Sequence, residues 1–200
     1  MKQPPSTRAA ASGLKIILLR ARFNDRVVDG LLAGAREALA DAGARPEDVT
    51  VVDVPGAFEL PLAARAAARS KGCDAVVALG AVIRGETDHY EHIAREAASG
   101  LAAVARKAAV PVGFGVLTVA EEAQALARSA PGPENKGAEA ARAAVAMVHV
   151  LRSLEGKKTT ETQRHREGKK EEGQRKGQRR RRSRGSNPPK SAARNARKER

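Results

Sequence analysis

The sequence predicts a three-layer α/β sandwich around a four-stranded parallel sheet, followed by a disordered basic tail. Two observations give the sandwich: short apolar runs alternate with segments of helical period, and glycine or proline punctuates the joins. A third gives the tail. Residues 157–200 hold 18 of the chain's 37 Lys and Arg but only 5 of its 23 Asp and Glu, a net charge of +13. The rest of the chain is close to neutral, so the overall charge of +14 belongs almost wholly to this end. The expected organisation is an arm over 1–13, one folded domain over 14–156 and the tail over 157–200. Aromatic residues make up only 2% of the chain, so the core must be built from Ala, Val, Leu and Ile.

Ile16–Ala21 is an apolar run fit for a strand covered on both faces. Asn24 or Asp25 can cap the helix after it, whose Val28, Leu31, Leu32, Ala35 and Leu39 keep the 3.6-residue period up to Gly43. Val49–Val54 is the second strand, stopped by Pro55-Gly56. An Ala-rich helix is expected over 57–71, closed by Gly72. Ala75–Ile83 is the third strand, and Arg84-Gly85-Glu86 the turn after it. A long helix opens at Asp88, with Tyr90, Ile93, Ala97, Leu101 and Val104 on one face, and Pro111 ends it. Val112–Val119 is the fourth strand and Glu121–Arg128 a short helix. Asn135 can cap a last helix with stripe Ala141, Ala144, Val145, Val148 and Leu151. No repeat of this unit is found. Cys73 is the only cysteine, which excludes an intrachain disulfide and fits a reducing, cytoplasmic setting. No apolar run approaches the roughly 20 residues of a membrane span.

In a sheet of this kind ligands bind beyond the carboxyl ends of the strands. Phe23-Asn24, Gly56–Glu59 and Arg84–His89 all fall there. They combine an aromatic face, a carboxylate, a turn whose N–H groups at Glu86 and Thr87 suit an anion, and a histidine opening a helix. Histidine exchanges its proton near neutral pH, which makes His89 the candidate acid/base. Each residue alone has a plainer role: Phe23 as a cap on the core, His89 and Glu59 as solvated surface groups. Convergence of three segments at one sheet end favours a site. A metal site at His89, His92 and Glu96, on one helix face, lacks further ligands. Gly132–Gly137 has the outer spacing of a phosphate-binding loop without its Lys-Ser/Thr.

The same segments, RFN (22–24), PGAFELP (55–61), LGAVIRGETDHYEHI (79–93), PVGFGVLT (111–118), Arg128 and NKG (135–137), resemble the lumazine synthase family over about 140 collinear residues. The stretch 119–133 departs from the family pattern. The resemblance implies a flavodoxin-like fold and a transferase of riboflavin biosynthesis. The implied reaction condenses 5-amino-6-(D-ribitylamino)uracil with 3,4-dihydroxy-2-butanone 4-phosphate, without metal or redox cofactor. It implies that Phe23 stacks on the pyrimidine and that Ala57, Phe58 and Glu59 hold the ribityl chain. Ala81, Val82 and Ile83 would line the ring pocket, Glu86 and Thr87 would donate backbone N–H groups to phosphate, and His89 would move protons. Phe114 would cover the ring, Arg128 would pair with phosphate and Lys136 would lie nearby. Phe114 sits early in its strand and Arg128 follows a returning helix, so neither should reach Phe23 and His89 within one subunit. Two copies must then meet head-to-tail in a ring, for which the resemblance implies a pentamer and allows a sixty-subunit shell. The tail reads either as a solvated, functionally idle extension or as a grip on a polyanion without base stacking. An alternative is a catalytically weakened scaffold that displays such tails.

Overall fold

The computed structural model describes residues 10–155; the expected tail, and residues 1–9 of the expected arm, lie outside them. The elements run β1 (Ile16–Ala21), α1 (Asp25–Asp41), a short 3-10 turn (Pro46–Asp48), β2 (Val49–Val54), α2 (Leu60–Ala67), β3 (Ala75–Ile83), α3 (His89–Ala108), β4 (Val112–Val119) and α4 (Glu122–Ser129). A last helix, α5, covers 136–155. All four strands end where the sequence places them. The sheet is parallel throughout, in the order β2-β1-β3-β4.

Strand burial explains that order. Every residue of β3 from Ala75 to Val82 is buried, as an interior strand covered by helices on both faces requires. Its two faces serve two cores. Val77 and Leu79 pack with Leu18, Leu31, Val145 and Val148 under α1 and α5, while Val76 and Ala78 pack with Leu19, Leu60 and Leu101 under α2 and α3. From β1 the chain crosses one way to β2, and from β3 the other way to β4. The switch point therefore lies between β1 and β3, the place beyond whose strand ends ligands bind in open sheets of this kind.

Three details differ from the sequence reading. The packed body reaches back to Ala11, which is fully buried and donates its N–H to the Ala42 carbonyl at 2.8 Å. Helix α2 is shorter than 57–71. The chain leaves β2 through a turn, and the Arg69 and Ser70 N–H groups bond three residues back, to Ala66 and Ala67, which tightens and ends the helix. Asn24 stands at the N-cap of α1 but makes no side-chain cap bond, and its backbone is left-handed (φ 61°, ψ 42°). By contrast Asn135 does cap: its Oδ1 accepts the Ala138 N–H at 3.0 Å.

Candidate functional site

The carboxyl ends of β1, β2 and β3 bring together the first group of expected residues. Leaving β1, the chain keeps pairing with β2 for two more residues: the Arg22 N–H donates to the Val54 carbonyl at 2.8 Å and the Phe23 N–H to Pro55 at 3.1 Å. The Asn24 amide Nδ2 donates to the Ala81 carbonyl on β3 at 2.9 Å. The 22–24 loop is thus anchored to both neighbouring strand exits. Ala57 is buried over β3, where a Cβ added at Gly80 would stand 3.6 Å from the Ala57 and Ala21 methyls. The tighter neighbour is Leu60 of α2, whose Cδ1 would lie 3.2 Å from that Cβ. Phe58 and Glu59 follow at the rim of α2.

Ala81 and Val82 are buried and Ile83 half-buried at the end of β3. The Arg84 N–H closes onto Val119 of β4 at 2.9 Å, and the Arg84 guanidinium lies over the Tyr90 ring, 5.5 Å from its centre. These contacts hold both ends of the 84–90 turn. Between them Glu86, Thr87 and Asp88 are exposed, and His89 is the exposed first residue of the 20-residue α3. The positive end of that helix faces the turn, which favours an anion there.

The second group lies elsewhere. Phe114 pairs in register with Ala78, five residues before Ile83, which places it roughly 16 Å down the sheet from the turn. It borders a groove of about 410 Å³ along the free edge of β4, shared with Lys136, Glu139 and Met147 of α5. Lys136 Nζ is paired with Glu139. Arg128 stands in neither group. It is exposed in the last turn of α4, with Nη1 on the Gln124 carbonyl at 2.9 Å. The backbone of Ser129, next to it, contacts Gly30 in the second turn of α1. An eight-residue helix returns the chain only about 12 Å, so Arg128 sits near mid-depth of the sheet rather than at its amino ends.

Solvent exposure separates the aromatic members of these groups from the core. All three phenylalanines of the chain are exposed, Phe23 at 73%, Phe58 at 56% and Phe114 at 47%. Among the described residues no group of three His, Cys, Asp or Glu side chains is close enough to hold a metal ion, and His89, His92 and Glu96 do not form one. Among them too, no helix is long and apolar enough to cross a membrane.

Two contacts of this region escaped the sequence reading. One is the Asn24 tie to Ala81, because an Asn before a helix reads first as a cap. The other is an ion-pair cluster under the β1 exit: Arg20 pairs with Asp29 of α1 and with Asp53 of β2 at 3.5 Å, and Arg22 with Asp53 at 3.1 Å. Single charged residues inside apolar runs were the only signal for it.

Residues 13–152 match the family model for 6,7-dimethyl-8-ribityllumazine synthase. Among curated relatives, the 6,7-dimethyl-8-ribityllumazine synthase of Sodalis glossinidius (strain morsitans) is 52% identical over 146 residues, covering 72% of this chain and 94% of that protein.

Proposed function

The chain belongs to the 6,7-dimethyl-8-ribityllumazine synthase family of riboflavin biosynthesis, and from that premise we propose how its residues divide the work. The carboxyl-end group binds the pyrimidine, 5-amino-6-(D-ribitylamino)uracil. Phe23 stacks on its ring, backbone groups of Ala81, Val82 and Ile83 hold the ring edge, and Ala57, Phe58 and Glu59 take the ribityl hydroxyls. Glu86 and Thr87 offer backbone N–H groups to the phosphate of 3,4-dihydroxy-2-butanone 4-phosphate. Two C–N bonds form while phosphate and two waters depart, so protons must leave nitrogen and reach the departing oxygens. His89, exposed at the helix start, carries them as general acid/base. The residues need no metal or redox cofactor for this condensation.

One observation carries the quaternary proposal: Phe114 and Lys136 share a groove roughly 16 Å from the carboxyl-end group. If all serve one reaction, the groove of one copy closes the site of the next. Phe114 then covers the ring, and Arg128 and Lys136 approach the phosphate from the neighbour. Arginine suits that role through the two parallel hydrogen bonds of its planar fork. Such a contact joins unlike surfaces and closes into a ring, which the family resemblance makes a pentamer. The link between α4 and α5 is only 130–135, too short to block pentamers from joining into a sixty-subunit shell. The setting is cytoplasmic.

Mixed assembly tests this division. His89→Ala and Arg128→Ala proteins are each expected to lose most lumazine formation, followed by absorbance and fluorescence of the product. Unfolded together and refolded, they should recover up to about a quarter of wild-type activity, because some interfaces then pair an intact His89 with an intact Arg128. Mixtures as inactive as the parents would overturn the shared site.

A second reading concerns residues 157–200. The family model matches residues 13–152 and the alignment with the relative covers 94% of that protein, so the net +13 segment lies beyond the family match. Charge of one sign at that density grips a polyanion. Retention of Phe23, Glu59, His89 and Arg128 favours an enzyme with this addition over a weakened scaffold.

A further inference from the structure

We propose that Asn24 is a positioning residue: its amide, donated to the Ala81 carbonyl across the switch point between β1 and β3, sets where the Phe23 ring stands relative to the β3 backbone edge. The proposal rests on the reading that Phe23 stacks on the pyrimidine. Phe23 is 73% exposed, so little side-chain packing fixes its ring. Its place must therefore come from how its backbone is anchored. On one side the Arg22 and Phe23 N–H groups hold it to the β2 exit. On the other side the anchor is the Asn24 side chain, joined at 2.9 Å to a residue 57 positions away.

Two local preferences are given up for that anchor. An Asn at a helix N-cap ordinarily turns its side-chain oxygen onto the first-turn N–H groups; here it makes no cap bond, and Asp25 Oδ1 accepts the Arg26 N–H instead, at 2.7 Å. The Asn24 backbone also takes the left-handed conformation that side chains with a Cβ seldom adopt and Asn tolerates best. That turn swings the amide away from α1 and toward β3. The acceptor is itself part of the proposed ring pocket, so the same bond sets the orientation of the Ala81 peptide.

Two substitutions separate positioning from mere folding. Asn24→Gly removes the amide while glycine holds the left-handed backbone without steric cost, so the fold should melt within a few degrees of wild type. Asn24→Asp keeps the shape but turns an acceptor toward an acceptor. Both are expected to raise KM for 5-amino-6-(D-ribitylamino)uracil about tenfold, the worth of one good hydrogen bond, with KM for the butanone phosphate changed less than twofold. A wild-type pyrimidine KM in Asn24→Gly would overturn the proposal, and so would a parallel rise of both KM values. Phe23→Ala tells the two ideas apart. If it raises the pyrimidine KM while Asn24→Gly does not, the positioning role alone fails; if it leaves that KM unchanged, the stacking reading fails and the proposal with it.

Discussion

Asn135 shows how much one polar side chain can organise. It is 1% exposed, and its Nδ2 donates to the carbonyls of Gly30 at 3.0 Å, Ser129 at 2.8 Å and Ala130 at 3.1 Å while its Oδ1 caps α5. Losing it leaves buried carbonyls without a donor, so Asn135→Ala should cost roughly 2–4 kcal/mol. Thermal melting should then fall by roughly 6–12 °C. Asn135→Asp should melt lower still, because a carboxylate cannot donate to any of the three. Asp48 gives a prediction with pH. Its side chain is nearly buried, and the Arg45 guanidinium, bonded to it at 2.8 Å, holds its carboxyl below the usual carboxylate range. A depressed folded value means the stabilisation is complete above the ordinary unfolded value, about 3.9. It is lost as pH falls through the folded one. The melting-point advantage of wild type over Asp48→Asn should therefore be level from neutrality to about pH 5 and close below about pH 4; an undiminished gap at pH 2 would contradict it. Burial also pushes the Cys73 thiol up, so its alkylation at neutral pH should be slow until the chain unfolds. His89, Phe23 and Glu59 stand out in the sequence as candidates because their residue types are chemically marked. The sequence did not reveal Asn24 or Asn135 as cross-links, since an asparagine's partners lie 57 and 105 residues away and no local pattern encodes them.

Strands were easier to read than helix ends for a physical reason. A strand buried on both faces must be apolar along its length, so β3 begins and ends where its apolar run does. Helix ends answer to bonds that compete locally, and α2 gives way to tight turns whose Ala-rich sequence would equally continue a helix. Packing between helices was legible only as the presence of glycines. A Cβ on Gly137 would stand 2.0 Å from the Leu31 carbonyl oxygen and 2.8 Å from its Cα, all backbone of α1. Neither helix can yield there without lifting off the other. Gly137→Ala, though it favours helix by local propensity, should cost at least about 2–3 kcal/mol through overpacking. It should also loosen the Asn135 cap two residues away. Denaturant unfolding checks the sign: stabilisation would mean that α1 and α5 are not in contact at this point.

At the scale of the molecule, the distribution of aromatic rings and of charge separates what folds the chain from what it meets. Among the described residues the buried hydrophobics are Leu, Ile, Val and Ala, the three phenylalanines stand in solvent at two separate places, and nearly all the net positive charge lies beyond residue 156. Chain ends and quaternary contacts are not encoded in hydrophobic period, which is why the proposed ring rests on the placing of Phe114 and Lys136 and the basic segment stands out only by composition. The basic segment makes a prediction independent of the enzyme site. Without an aromatic residue over 157–200 it has no ring on which to stack bases, so its grip should be electrostatic and indifferent to sequence. Binding to duplex DNA then releases counterions, and six or more phosphate contacts should weaken it about a thousandfold or more between 50 and 200 mM salt. A protein ending at Gly156 should make lumazine at the full rate and show none of this binding. Binding that survives the truncation would move the contact to the folded body, whose own charge is nearly balanced. Binding that ignores salt would require apolar or base-specific contacts, for which this segment has almost no side chains.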